Sequence, residues 1–189
     1  GGDLFDKISA EGALSEAKAS TLLSELASTL AFLHAQGICH GDLKIENIML
    51  TGEGQLRLID FGLSCAVSTV RKNALGSVSY LAPEVSMQEE GSGEDSVSLP
   101  RDLWAAGVVA FVMLAGYHPF DPDGDGDEPA IRRRVLAYAK SGRSFDEYIK
   151  PFDDGVYRAA SAEARSVISL LLRADPARPL EHLRQNDEP

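Results

Sequence analysis

Residues 40–47 read His40-Gly41-Asp42-Leu43-Lys44-Ile45-Glu46-Asn47, a polar stretch between two segments with strong structural signals. The segment before it, residues 15–36, places leucines at helical spacing, offers Ser15 as N-cap and is followed by Gly37. The segment after it contains two short apolar runs, residues 48–50 and 56–59, separated by a turn-forming stretch, which predicts a hairpin. Residues 37–48 are therefore expected to form a loop held between a helix and a hairpin.

The rest of the chain predicts a mainly α-helical fold with that small β-hairpin as its β element. Residues 63–80 show no periodicity and predict a long surface loop, and residues 86–98 predict a mobile polar insertion. Residues 102–115 are apolar on all sides, which is typical of a helix at the centre of a domain. Two further helices are predicted over residues 129–141 and 162–174.

Composition excludes several classes of function. The formal net charge of -11 argues against sequence-independent binding to nucleic acid or to an anionic membrane. The longest apolar run, residues 103–115, is too short for a membrane span, and no secretory signal opens the sequence. Cys39 and Cys65 lie in different segments, without the spacing of a metal site or a disulfide framework. These observations favour a reducing, intracellular and cytoplasmic location.

Three motifs resemble those of the protein kinase family. Residues 40–47 resemble its catalytic loop, H-R-D-L-x-x-x-N, and Asp60-Phe61-Gly62 and Ala82-Pro83-Glu84 follow in the family's order as D-F-G and A-P-E. The resemblance implies a kinase C-terminal lobe over residues 1–185, with residues 186–189 as a tail. Lys44, two residues after Asp42, and the pair Gly76-Ser77 resemble the serine/threonine branch, and the chain most resembles the calcium/calmodulin-dependent group.

The resemblance assigns chemical roles and implies ATP and Mg²⁺ as cofactors. Asp42 would accept the proton of the substrate hydroxyl, and Lys44 would contact the transferred phosphate. Asn47 and Asp60 would hold Mg²⁺, since a hard cation prefers oxygen ligands. Ser77 would hydrogen-bond the catalytic aspartate and lysine. The implied reaction is ATP-dependent phosphorylation of serine or threonine in protein substrates.

A second group of residues is implied in nucleotide and substrate binding. Leu4 and Met49 would form an apolar stack under the adenine, supported by Val109 and Met113 four residues apart on one helix. Ile59 is assigned to the same nucleotide site. The carboxylates of Asp3 and Glu46 have two interpretations that remain open: contacts to the ribose or to a basic residue of a peptide substrate, or solvated surface charge.

Six residues are expected to support the site structurally. In the family the A-P-E glutamate, here Glu84, pairs with a buried arginine late in the chain, for which Arg178 is the candidate. Asp102 resembles the aspartate that opens the central helix and caps the backbone of the catalytic loop. The remaining members of this group are His40, Phe61 and Gly62.

The sequence also departs from the family. It contains no Gly-rich phosphate loop, strand lysine or helix glutamate, so an upstream N-terminal lobe is expected in the full-length protein, and the 189-residue chain alone is expected to be nearly inactive. Gly41 replaces the arginine that holds a phosphorylated activation loop in many members. Control by another route is therefore expected, although possible phosphosites remain at Ser64, Ser68, Thr69 and Ser79.

Three hypotheses of different class follow from the motifs. The chain belongs to an active kinase, to a catalytically weak pseudokinase that binds partners, or to a free-standing lobe that acts as an interaction scaffold. Loss of catalysis would most simply show as loss of a reacting group, and all four are present: Asp42, Lys44, Asn47 and Asp60. The first hypothesis is therefore favoured.

Overall fold

The computed structural model describes residues 2–66, 70–71, 76–87, 95–96, 99–153 and 155–173. In these ranges the helices are α1 Leu4–Glu11, α2 Glu16–Ala35, α3 Pro83–Ser86, α4 Leu99–Ala115, α5 Glu128–Ser141, α6 Phe145–Ile149 and α7 Ala162–Leu171. The strands are β1 Gly2–Asp3, β2 Ile38–Cys39, β3 Ile48–Leu50, β4 Leu56–Leu58, β5 Cys65–Ala66, β6 Val70–Arg71 and β7 Asp95–Ser96. The described part is thus mostly helical with small sheets, as predicted.

Helix α4 forms the centre of the core. Almost every residue along it is buried, and it packs against both α2 and α7. Gly107 makes the α7 contact possible, because a Cβ atom at this position would lie 2.8 Å from Leu172 Cγ. The helix begins at Leu99, three residues before the predicted start at Asp102. Among the described residues, no helix is both long enough and apolar enough to cross a membrane.

Helix α2 confirms the prediction for residues 15–36. The Ser15 hydroxyl accepts a hydrogen bond from the Lys18 N–H, and Gly37 follows the helix with a φ of 69°. Three of the predicted leucines, Leu22, Leu26 and Leu30, are buried against the core. Burial of each such side chain stabilises the fold by roughly 1.5–3 kcal/mol, so the leucine face fixes the rotation of α2 against α4.

The predicted hairpin is present as β3 and β4, paired antiparallel with Ile48 opposite Leu58. Strand β1 adds a third, unpredicted strand, which gives the order β1-β3-β4. Two side chains of α2 fasten the hairpin. Lys18 Nζ donates to the Gly54 carbonyl over 2.9 Å, and Glu25 Oε2 accepts from the Leu56 N–H over 2.6 Å. The hairpin is therefore fixed relative to the helix that precedes the loop of residues 40–47.

Two segments predicted as loops contain regular structure. Residues 37–48 hold β2 and a 3₁₀ turn over Ile45–Asn47, and residues 63–80 hold β5, β6 and a 3₁₀ turn over Val78–Tyr80. The reason is long-range pairing, since β2 pairs antiparallel with β5. A two-residue strand has no periodicity of its own, so sequence patterns cannot reveal it. The cysteines that the sequence separates into different segments, Cys39 and Cys65, lie opposite each other in this ladder.

The C-terminal helices follow the predictions with shifted bounds. Helix α5 begins one residue early, at Glu128, and ends before Gly142, whose φ is 66°. Helix α7 ends at Leu171, three residues before the predicted end. Helix α6 was not predicted, although Ser144 and Glu147 form a capping box at its start. Most of the predicted polar insertion, residues 88–94 and 97–98, lies outside the described residues.

Candidate active site

The catalytic loop is anchored by a buried carboxylate from the first turn of α4. Asp102, with 1% of its surface exposed, accepts hydrogen bonds from the backbone N–H groups of His40 at 2.8 Å and Gly41 at 3.0 Å. Its Oδ2 also lies 2.9 Å from Nε2 of His34, at the end of α2. One side chain therefore ties α2, α4 and the loop together immediately before Asp42.

Gly41 occupies a backbone position that favours glycine twice over. Its φ is +81°, in the left-handed region, and a Cβ atom built on it would lie 2.8 Å from the carbonyl oxygen of Leu63. That carbonyl belongs to backbone and cannot move aside like a flexible side chain. Gly41, which replaces the arginine of the family motif, is thus the residue that the close approach of the Leu63 carbonyl requires.

We expect Gly41→Ala to destabilise the protein more than Gly142→Ala does. Gly142 has a φ of +66° in the left-handed region, but a Cβ atom there would meet no other atom within 4 Å, so it measures the backbone cost without a clash. That cost is about 1–2 kcal/mol, and the contact with Leu63 should add about 1–3 kcal/mol at Gly41. Urea unfolding of both variants measures the difference. Equal losses of unfolding free energy would contradict the close approach at Gly41.

Four side chains implied in catalysis and substrate binding converge just after Gly41. Lys44 Nζ lies 3.0 Å from Asp42 Oδ2 and donates to Ser77 Oγ over 2.8 Å. The Ser77 N–H donates to Asp42 Oδ1 over 2.8 Å. Asn47 Nδ2 donates to the Asp42 carbonyl over 2.8 Å and lies 3.3 Å from its Oδ2. The carboxylate, ammonium, hydroxyl and amide thus form one hydrogen-bonded cluster.

The cluster keeps Asp42 ionised. Burial alone would raise the pKa of this carboxyl group, but the hydrogen bonds from Lys44 and Ser77, together with the charge of Lys44, outweigh it and hold the pKa below its ordinary value. Asp42 is therefore a carboxylate at neutral pH. It retains the lone pairs needed to accept a proton or a hydrogen bond from an incoming hydroxyl group.

The Asp60-Phe61-Gly62 segment lies at the exposed end of the hairpin. Asp60 is exposed and has a φ of 60°, the only positive value among the non-glycine residues described. Its Oδ1 accepts a hydrogen bond from the Gly62 N–H over 3.1 Å. Phe61 makes an edge-to-face contact with the ring of His40, with centroids 5.0 Å apart, while His40 Nε2 lies 3.1 Å from the Ile59 carbonyl. His40 thereby connects this segment to the catalytic loop.

Asn47 and Asp60 provide an oxygen donor set that fits Mg²⁺. The Asn47 amide nitrogen is directed to Asp42, which leaves its amide oxygen available as a ligand, and only one oxygen of Asp60 accepts the Gly62 hydrogen bond. The Ile59 N–H donates to the Asn47 carbonyl over 2.9 Å and so holds the two segments together. One carboxylate and one amide oxygen suit a Mg²⁺ ion that takes its other ligands from phosphates and water.

The residues implied in nucleotide binding fall into two groups, one partly exposed to solvent and the other buried. Met49 is half-buried and Ile59 is 39% exposed, so both present surface to a ligand. Leu4 is completely buried, as Val109 and Met113 nearly are, and it can act only as packing beneath that surface in this arrangement. Asp3 is half-buried and caps α1, its Oδ1 accepting from the Asp6 N–H over 2.7 Å.

Glu46 and Glu84 differ in environment. Glu46 is exposed on the 3₁₀ turn. Burial is the main cause that raises the pKa of Tyr80, and the negative charge of Glu46 raises it further. Burial raises the pKa of Glu84, while the nearby Arg101 guanidinium partly offsets this effect.

The candidate partner of Glu84, Arg178, and the possible phosphosites Ser68 and Thr69 lie outside the described residues. The hydroxyl of Ser64, a third possible phosphosite, donates to the Phe61 carbonyl over 2.7 Å.

Two residues near the site had no assigned role in the sequence analysis. His34 contacts Asp102 across 68 positions of sequence, and Arg101 influences Glu84 from the first turn of α4. The one sequence signal that could have indicated a role for His34 was its position in the last turn of a predicted helix. Arg101 had none beyond its place beside Asp102.

Comparison with known proteins shows the family of the chain. The family model of the protein kinase domain matches residues 1–182, and the chain belongs to this family. It is 39% identical to CBL-interacting serine/threonine-protein kinase 17 of Arabidopsis thaliana over 141 residues, which cover 72% of this chain and 31% of the relative. It is 33% identical to serine/threonine-protein kinase SRK2E of the same organism over 183 residues, covering 94% of this chain and 46% of the relative.

A rice relative, CBL-interacting protein kinase 21, is 40% identical over 141 residues, which cover 72% of this chain and 25% of that protein. The chain thus spans between a quarter and a half of the curated relatives described here. The prediction of a serine/threonine-type protein kinase is confirmed at the level of the family.

Proposed function

We propose that this chain is the catalytic lobe of a protein kinase that transfers the γ-phosphoryl group of ATP to serine or threonine in protein substrates. The observation that carries the proposal is the cluster of Asp42, Lys44, Ser77 and Asn47. It brings a proton acceptor, a cation and a possible metal ligand within hydrogen-bond distance of one another. Phosphoryl transfer depends mainly on such positioning and on stabilisation of charge.

Each side chain of the cluster has one task in the proposed reaction. Asp42 orients the substrate hydroxyl group and accepts its proton. Lys44 stabilises negative charge on the phosphoryl oxygens, and the Ser77 hydroxyl holds the lysine beside the aspartate. Asn47 and Asp60 would hold Mg²⁺, which neutralises phosphate charge when bound.

A small lobe outside these 189 residues is part of the proposal. The exposed apolar side chains of Ile59, at 39%, and Phe61, at 45%, lie at the end of the hairpin beside the half-buried Met49. An exposed apolar patch is a common mark of a surface that binds a ligand or a protein. The Gly-rich loop, lysine and glutamate that the family places over ATP would come from that lobe.

A basic peptide is the proposed protein substrate. Glu46 is exposed, and its charge acts on Tyr80, a residue that lines the same small pocket as Asp42 and Ser77. A carboxylate in this position would attract a positively charged residue of a peptide. Asp3 supports the same preference less directly, because one of its oxygens already caps α1.

The type of hydroxyl residue that receives the phosphoryl group is tested with three peptides. They share one basic sequence and differ only in carrying serine, threonine or tyrosine. We expect the full-length protein to phosphorylate the serine and threonine peptides at least about 100-fold faster than the tyrosine peptide, since a mispositioned hydroxyl group loses the advantage of proximity. Mass spectrometry of the products measures the rates. Preferential phosphorylation of tyrosine would overturn the assignment of Ser77 and Lys44 to a serine/threonine site.

A further inference from the structure

The β2–β5 ladder places the two cysteines of the chain directly opposite each other. Cys39 ends β2, one residue before His40, and Cys65 begins β5, three residues after Gly62. The pair therefore joins two segments: the strand that leads into residues 40–47 and the strand that begins shortly after Asp60-Phe61-Gly62. Both side chains are thiols in the structure.

The register satisfies the main geometric requirement of a disulfide. Residues directly opposite in an antiparallel pair have Cα atoms about 4.5–5.5 Å apart and side chains on the same face of the ladder. Disulfides bridge Cα separations of about 4.4–6.8 Å. The neighbouring pair, Ile38 opposite Ala66, fixes this register from the other side. Little backbone movement is therefore needed to join the two sulfur atoms.

The two thiols differ in ways that suit a stepwise reaction. Cys65 is half-buried and accessible to a small reagent, whereas Cys39 has no exposed surface. Burial raises the pKa of Cys39, and the charge of Asp102 and a hydrogen bond to it act in the same direction. Cys39 thus resists reaction with reagents in solution. The sulfur atom that it can reach is that of Cys65, which lies opposite it in the ladder.

We propose that Cys39 and Cys65 form a reversible intramolecular disulfide that ties the loop of residues 40–47 to the segment that follows Asp60-Phe61-Gly62. With glutathione disulfide as the oxidant, the Cys65 thiolate attacks one sulfur of the reagent and releases one glutathione thiolate. Cys39 then loses its proton, its thiolate attacks the Cys65 sulfur to form the intramolecular disulfide, and the second glutathione leaves as a thiolate that takes up a proton. The protein dithiol is oxidised and one glutathione disulfide is reduced to two thiols.

Formation of the bond is measured on the full-length protein, equilibrated in glutathione buffers and alkylated before digestion. Trypsin releases Cys39 in residues 19–44 and Cys65 in residues 58–71, so a linked pair identifies the disulfide by mass even if other cysteines are present. The Cys65→Ser variant is the matched control and must abolish the linked pair. Cys39→Ser serves the same purpose if the first variant does not fold.

We expect the effective concentration of the two thiols to be at least about tenfold higher in the folded protein than in urea. In the unfolded chain 25 residues separate the cysteines, and a flexible connection of this kind gives effective concentrations of about millimolar. Stable glutathione adducts on Cys65 without the linked peptides would overturn the proposal. So would disulfide-linked dimers, or equal effective concentrations in the two states. None of these readouts depends on kinase activity.

Discussion

Replacement of Asp42 by asparagine is expected to lower kcat by about 1,000-fold. The variant keeps the shape of the side chain and an oxygen that can accept from the Ser77 N–H, but it removes the proposed proton acceptor and the negative charge beside Lys44. General-base contributions are typically about 100- to 10,000-fold. KM should change little, because the lost interaction belongs to the transition state. Steady-state kinetics of the full-length protein with a serine peptide measure both constants.

Asp125→Asn is the matched control for this measurement. Asp125 is an exposed carboxylate in the loop between α4 and α5, where its Oδ1 accepts from the Asp127 N–H. The same chemical change at this position should leave kcat within about twofold of the parent protein, since surface substitutions away from a site have small effects. If Asp42→Asn retained more than a tenth of the parental kcat, Asp42 would not be the proton acceptor.

Replacement of Asp102 by alanine is expected to lower the free energy of unfolding by about 3–5 kcal/mol. The change leaves the N–H groups of His40 and Gly41 without their acceptor and creates a space in the first turn of α4. Removal of one partner from a buried, charged hydrogen-bond network typically costs this amount. Urea unfolding followed by circular dichroism measures it.

An aspartate directly before α5 provides the control for stability. Asp127 makes no side-chain capping bond, has 49% of its side chain exposed, and lies 3.9 Å from Arg133. Asp127→Ala should therefore change the unfolding free energy by less than about 1 kcal/mol. Similar losses for the two variants would show that Asp102 does not anchor the catalytic loop.

The elements predicted correctly are those whose signals lie within one segment. Helix α2 carries its own cap and leucine face, and the β3–β4 hairpin has two apolar runs around a short turn. Helix α6 also carried such a signal, the Ser144 and Glu147 capping box, but at five residues it is too short to show periodicity. Local signals therefore account for most of the helical fold.

The elements that were missed depend on contacts between distant segments. Pairing of Cys39 with Cys65 creates β2 and β5, and pairing with Met49 creates β1 at Asp3. None of these three strands has a pattern of its own to detect. The site behaves likewise: the motif indicated Asp42, Lys44 and Asn47, whereas the contact of His34 with Asp102 arises only when α2 packs on α4.

Magnesium-dependent transfer of labelled phosphate from ATP to a basic serine peptide tests the central claim most directly. The assay compares the full-length protein, its Asp60→Ala variant and the isolated 189-residue chain. We predict turnover by the full-length protein, a loss of at least about 100-fold in the variant, because the proposed ligand of the metal is removed, and near-background activity of the isolated chain. Absence of turnover by folded full-length protein, or equal turnover with and without Asp60, would contradict the assignment of a catalytic kinase lobe.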